Sequence, residues 1–221
     1  MFNNKIVSLV YKTILLSLSF ITMVYLIWEN DFNTLGYFTN ISNILVFIFT
    51  LVIWIYTLKE VLRGETLGYN TTLLCLKGLP TLMITVTGLI YMFFLADYSK
   101  ISNYDPQNML KHYIIPIMFV LDFFFFDRRG ALKWYHPLIW VGFASIYIPY
   151  IFIRQAILKG GAHQYFYDNV RFPYFFLDID TLGISGVSLW LVGIILIFTI
   201  ISYLFYLWDY KGREKKNENN I

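Results

Sequence analysis

The sequence predicts an all-α polytopic membrane protein, a bundle of six transmembrane helices with both termini cytoplasmic. Three observations carry this expectation. Hydrophobic residues make up 58% of the chain and charged residues only 14%, a balance that cannot cover a water-soluble surface. The apolar residues fall into six runs, each close to the roughly 20 residues that a helix needs to cross a bilayer. Lys and Arg, the residues that decide orientation, collect on alternate connections.

The first run, about 6–28, follows Lys5 and is interrupted early only by Lys12. It is too long for the apolar part of a signal peptide and has no small-residue cleavage site before Glu29, so it is expected to be retained as span one. Glu29, Asn30 and Asp31 form a connection without a cation, and span two runs over about 38–58. Lys59, Glu60, Arg63 and Lys77 frame a basic loop before span three, about 78–95. There Thr81, Thr85 and Gly88 share one helical face, a small-residue stripe suited to close helix approach. A polar loop with Asn103, Asp105 and Pro106 precedes a short span four, about 112–126. After the basic turn at Arg128, Arg129 and Lys133 comes span five, about 137–153, with Pro149 as a kink. The longest connection, with the aromatic run RFPYFFLDID at 171–180, leads to span six, about 186–208. Residues 1–209 form one domain, and 210–221 make a charged cytoplasmic tail without fixed structure.

Twelve cations fall on the side of the termini and five on the other. That asymmetry predicts a cell-membrane protein with both ends inside. The net charge of +3, with basic residues at helix ends, excludes nucleic acid as a partner. Cys75 is the sole cysteine, so no intramolecular disulfide can form. Three scattered histidines without an HExxH pattern provide no metal site, and no cofactor is implied.

The predicted topology brings three polar features towards the external face. GYFTNISN opens span two, KHYIIPI opens span four, and the aromatic run lies before span six. Thr39, Ser42 and Asn43 stand at i, i+3 and i+4 on one helical side, with Asn40 about 100° round from Thr39. One reading makes Thr39 the N-cap of span two, with the asparagines joining helices. The other makes it a nucleophile. A threonine hydroxyl needs a base, and histidine is the side chain best suited to supply one. His112 stands at the expected level, whereas His136 lies at the opposite face and His163 in a Gly-Gly-Ala-His segment. Asp122, a carboxylate well inside span four, is about 15 Å deeper than His112 and too far to orient it. Its expected role is a structural pairing with a hydroxyl, indole or Arg on another helix. The sequons at Asn40 and Asn70 are short patterns and are discounted.

Together, YFTNISN opening span two, KHYIIPIMFVLDFFFFD in span four, WYHPLIW opening span five and FPYFFLD before span six resemble bacterial relatives of the androgen-induced transmembrane protein family. The resemblance covers about 36–183. It implies a six-helix hydrolase of fatty acid esters of hydroxy fatty acids, with the threonine nucleophile at Thr39 and the histidine at His112. The expected activity is therefore hydrolysis of lipid or fatty-acyl esters that enter sideways from the bilayer. Asn40, Ser42 and Asn43 are candidates for positioning substrate or its oxyanion, and Asp178 or Asp180 for orienting His112. The competing class is a non-enzymatic membrane protein: a small transporter or channel, or a lipid- or protein-binding scaffold. No repeat between the two halves favours transport.

Overall fold

Hydrocarbon offers no partner for a free N–H or C=O, so each apolar run must satisfy its own backbone, and each run is helical. The computed structural model describes residues 2–29, 33–96, 105–159, 165–166 and 170–218. Asn30, Asp31, Lys100, Asn103, His163 and the last three residues, to which expectations were attached, lie outside these ranges. The helices are α1 (Lys5–Glu29), α2 (Phe38–Leu62), α3 (Leu74–Ile90), α4 (Pro106–Met109), α5 (Ile115–Phe126), α6 (His136–Ser145), α7 (Tyr147–Ile157) and α8 (Ile179–Glu218). A π turn, Tyr91–Leu95, extends α3, and another, Leu110–Ile114, joins α4 to α5. The described residues thus contain six stretches long and apolar enough to cross a membrane.

Several boundaries differ from expectation, each for a local reason. Span four begins at Pro106 rather than His112. Asp105 caps it by accepting from the Asn108 N–H at 2.9 Å, and Pro106 takes the first position, where its missing N–H costs nothing. Asp105 and Pro106, expected in a loop, are a helix start. Span five breaks at Ile146, three residues before Pro149, because the proline ring leaves the Ser145 carbonyl without its usual amide partner. Span six starts at Ile179, and Gly183 (φ 66°, ψ 176°) bends its first turns. The tail expected to lack fixed structure continues α8 through Glu218, in a run of Lys, Arg and Glu with good helix propensity.

Helix α3 is the centre of the bundle. In its most apolar stretch 56% of residues are buried, against 11–39% in the other spans. It packs on α2, α5, α6 and α8, while α1 packs on α2 and α5. Its small residues permit this crowding. A Cβ at Gly78 would run into the Trp140 ring, whose Nε1 donates to the Cys75 carbonyl at 2.7 Å. Thr81 and Thr85 turn their hydroxyls back to the carbonyls of Lys77 and Thr81, so the predicted stripe serves packing. Outward-facing residues such as Ile27, Ile184 and Leu189 are at least 75% exposed, as suits helices with lipid for solvent.

Candidate functional site

The site is built at the start of α2. The 3₁₀ turn Thr34–Gly36 leads into it and is held to span five by two tyrosines, Tyr147 donating to the Gly36 carbonyl at 2.8 Å and Tyr150 to Leu35 at 3.0 Å. The N-cap is Tyr37, not Thr39, and it makes no side-chain capping bond. Thr39 is therefore inside the first turn, where N–H groups have no intrahelical acceptor. Its N–H donates to the Tyr174 hydroxyl at 3.3 Å.

The Thr39 carbonyl collects two side chains, the Ser42 hydroxyl and the Asn43 amide, each at 2.9 Å. Ser42 also pairs with Thr87 of α3 at 2.8 Å. The same Asn43 amide nitrogen reaches the Lys111 carbonyl at 3.2 Å, so one amide ties the Thr39 turn to the π turn that carries His112. Asn43 is 1% exposed, and its Oδ1 has no hydrogen-bond donor. Asn40 instead holds the entry turn by donating to the Thr34 carbonyl at 3.0 Å.

His112 lies flat on Tyr91, ring centroids 3.8 Å apart and planes 17° apart. Its Nδ1 is 3.2 Å from the Asn108 carbonyl. A carbonyl only accepts, so this contact assigns the proton to Nδ1 and leaves the Nε2 lone pair free to take one. Tyr91 is fixed by the Asn108 amide, which donates to its hydroxyl at 2.5 Å. Gly88 lets this assembly close on α3, since a Cβ there would stand 3.2 Å from the His112 carbonyl oxygen and 3.3 Å from Pro116.

A cavity enclosing about 580 Å³ of empty space, part of it open to the outside, lies between α2, α3, span five and α8. Its wall is mainly apolar, including Ile90, Ile148, Ile194 and Phe198, and Thr39, Thr87 and Tyr174 add hydroxyls. Two of the lining residues, Ile148 and Ile195, are partly exposed. Thr39 lines this space; His112 does not.

Asp178 is committed elsewhere. It caps α8 by accepting from the backbone N–H groups of Asp180 and Thr181 and, at 2.6 Å, from the Thr181 hydroxyl. Asp180 pairs with Arg171 at 2.9 Å. Tyr174, Thr87, Tyr91 and Asn108 are the site residues that sequence reasoning missed. Only Tyr174 carried a signal, its place in the quoted FPYFFLD motif. Desolvation among packed rings pushes its phenol above the ordinary value, an effect offset in part by contacts with the side chain and backbone of Thr39.

A second polar cluster occupies the opposite end of the bundle. Asp122 is fully buried between Lys12 of α1, at 3.0 Å, and Lys77 of α3, at 2.5 Å. Lys77 also reaches Asp127 at 2.6 Å, and Asn70 donates to the other Asp127 oxygen at 2.7 Å. The partners of Asp122 are thus two lysines, not the hydroxyl, indole or Arg expected: Lys12, which interrupts span one, and Lys77, which the sequence places in the basic loop. Buried charge is tolerable here because two cations meet two carboxylates. Among the described residues, no group of His, Cys, Asp and Glu could hold a metal ion.

No protein-family model, curated protein or solved structure matches this chain.

Proposed function

We propose that this chain is an intramembrane hydrolase of lipid or fatty-acyl esters, with Thr39 as nucleophile and His112 as general base. The observation that carries the reading is the position of Thr39. It lines a mainly apolar cavity, and one buried amide ties its turn to the turn bearing a histidine with Nε2 free. The π turn under His112 adds weight, since such widened turns gather at functional sites.

In this mechanism the Thr39 hydroxyl attacks the ester carbonyl while Nε2 of His112 takes its proton. The ester C–O bond breaks, and the same proton passes to the departing alcohol. Water then attacks the acyl-threonine, giving a proton to His112; the acyl–Oγ bond breaks, His112 returns that proton to Oγ, and the acid leaves with the Thr39 hydroxyl restored. Substrate binding has to draw the imidazole towards the cavity or trap a water between it and Thr39. The enzyme would reside in the cell membrane with both termini cytoplasmic and the site near the external face. With Lys12 and Lys77 paired inside the bundle, ten cations against five still favour that orientation.

One observation favours a second reading, a non-enzymatic protein that binds lipid, a partner or a transported solute: His112 is absent from the cavity wall. Labelling of detergent-solubilised protein with a fluorophosphonate probe separates the two. Wild type and folded Ser42→Ala should label, and Thr39→Ala and His112→Ala should not. A silent wild type, or a Thr39→Ala variant that labels as well as wild type, would turn the argument to the binding reading.

A further inference from the structure

The cavity beside Thr39 contains more polar chemistry than a greasy slot requires. Of its hydroxyls, that of Tyr147 donates to the Gly36 carbonyl, and that of Thr87 is paired with Ser42. Ser145 stands at the break in span five. Tyr174 is different, because its phenol oxygen lies against Thr39 itself and accepts the Thr39 N–H at 3.3 Å. Besides accepting this N–H, the phenol carries a proton of its own and can donate one hydrogen bond.

Tyr174 is also held in place. Its ring stacks on Phe176 with centroids 5.2 Å apart and planes 5° apart, and it meets Tyr37 and Tyr147 at centroid distances of 6.4 and 6.5 Å. A donor fixed this way does not reorganise when charge appears beside it, which is what makes such donors effective. Burial also keeps the phenol protonated through neutral pH, so it remains a donor.

The rest of the wall identifies the ligand chemistry. Isoleucine, leucine and phenylalanine from α3, span five and α8 line this space, the apolar wall usual for a ligand site. Its lining residues Ile148 and Ile195 are partly exposed on membrane-span helices, for which acyl chains are the solvent. An acyl chain lying along this wall has one polar group to present at the Thr39 end, its carbonyl.

We infer that the Tyr174 hydroxyl donates to the carbonyl oxygen of a long-chain acyl ester seated in this cavity, and so holds the carbonyl carbon beside Thr39. The inference rests on the hydrolase reading for its catalytic half: as Thr39 adds to the carbonyl, the C=O electron pair moves onto oxygen, and the hydrogen bond from Tyr174 strengthens there. The binding half needs no turnover. Tyr174→Phe removes only the hydroxyl and keeps the stacked ring.

The decisive experiment measures the carbonyl stretch of a ¹³C-carbonyl palmitate ester by difference infrared spectroscopy, in Thr39→Ala and in Thr39→Ala/Tyr174→Phe, both purified and folded. The ester band should fall to lower frequency when bound to Thr39→Ala and return to its unbound position in the double variant. With Thr39 intact, Tyr174→Phe should lower kcat for a long-chain p-nitrophenyl ester on the order of a hundredfold, with a smaller change in KM. A shifted band in a protein that never turns over ester would uphold the carbonyl contact and sink the hydrolase reading. Wild-type turnover with an identical band and identical kcat in Tyr174→Phe would overturn the contact and leave hydrolysis standing. If no ester binds to either Thr39→Ala protein, the contact is overturned.

Discussion

The two polar clusters of this bundle sit at opposite ends of the same central helix, and they are finished to different degrees. At one end Lys12, Lys77, Asp122 and Asp127 form a charge-balanced set in which every ionic group faces an opposite one. At the other, Thr39, Ser42, Asn43, Thr87 and His112 carry no formal charge when His112 is neutral, and their hydrogen bonding is incomplete. Asn43 Oδ1 has no donor, and Nε2 of His112 has an open lone pair. Closed charges bind helices to each other: even Asp122 Oδ1, which receives no hydrogen bond, lies 3.0 Å from the Lys12 ammonium. Open dipoles are cheaper to leave unmatched, and they are what a substrate can complete. Depth inside the bundle is therefore a poor guide to chemistry, and residual hydrogen-bonding capacity is a better one.

That contrast can be broken most sharply at Asp122. Asp122→Asn leaves two buried lysines with one carboxylate, and stability should fall by about 3–5 kcal/mol, as when one partner of a buried pair is removed. Lys12→Met/Asp122→Leu removes a matched pair and leaves Lys77 with Asp127, so most of the loss should return. Thermal unfolding followed by size-exclusion chromatography in detergent reads both. A double variant as unstable as Asp122→Asn would mean that the cluster does more than hold helices together.

A smaller effect tests the open end. Gly88→Ala adds a methyl 3.2 Å from the His112 carbonyl oxygen and 3.3 Å from Pro116. Overpacking of this kind costs roughly 1–3 kcal/mol, and it pushes the His112 turn away from α3. Fluorophosphonate labelling should slow more than the stability loss alone explains. Unchanged labelling in a destabilised Gly88→Ala would separate the position of His112 from reactivity.

The smallest effect belongs to the rim, where Lys5 bonds Glu65 at 2.8 Å and holds that carboxyl below its ordinary value of 4.5. A depressed carboxyl stabilises the fold above its unfolded-state pKa, and the gain disappears as pH falls through the lower folded value. An acid melting series should therefore show a slight loss below about pH 4.5 that Glu65→Gln removes. Superimposable acid limbs in the two proteins would mean that solvent screens the pair completely.

Much of this was legible in the chain. The six spans follow from apolar runs that lipid forces into helices, and Thr39, Ser42 and Asn43 do share one side of α2 through local periodicity. Span four was misjudged at its start because Asp105–Pro106 is both a turn signal and a helix cap, and only the fold selects one. The pairing of Lys12 and Lys77 with Asp122 was not legible, because a lysine in the first turns of a span ordinarily reaches for the water boundary. Their partners lie far along the chain, where no local pattern points. Tyr174 and Thr87 escaped for the same reason: each meets α2 only after helices distant in sequence have packed. The commitment of Asp178 to its own helix start, by contrast, was written in the three residues that follow it.

The buried charges also impose an order in time. During synthesis at roughly 5–20 residues per second, Lys77 precedes Asp122 by 45 residues, a wait of about 2–9 s. Lys12 waits longer. A lysine can bridge such an interval, because its long stem lets the ammonium remain among headgroups while the helix around it is already in lipid. An aspartate has no comparable reach. Cations in the early spans and carboxylates in the later one are thus the sequence order in which each helix can enter the membrane before its partner exists.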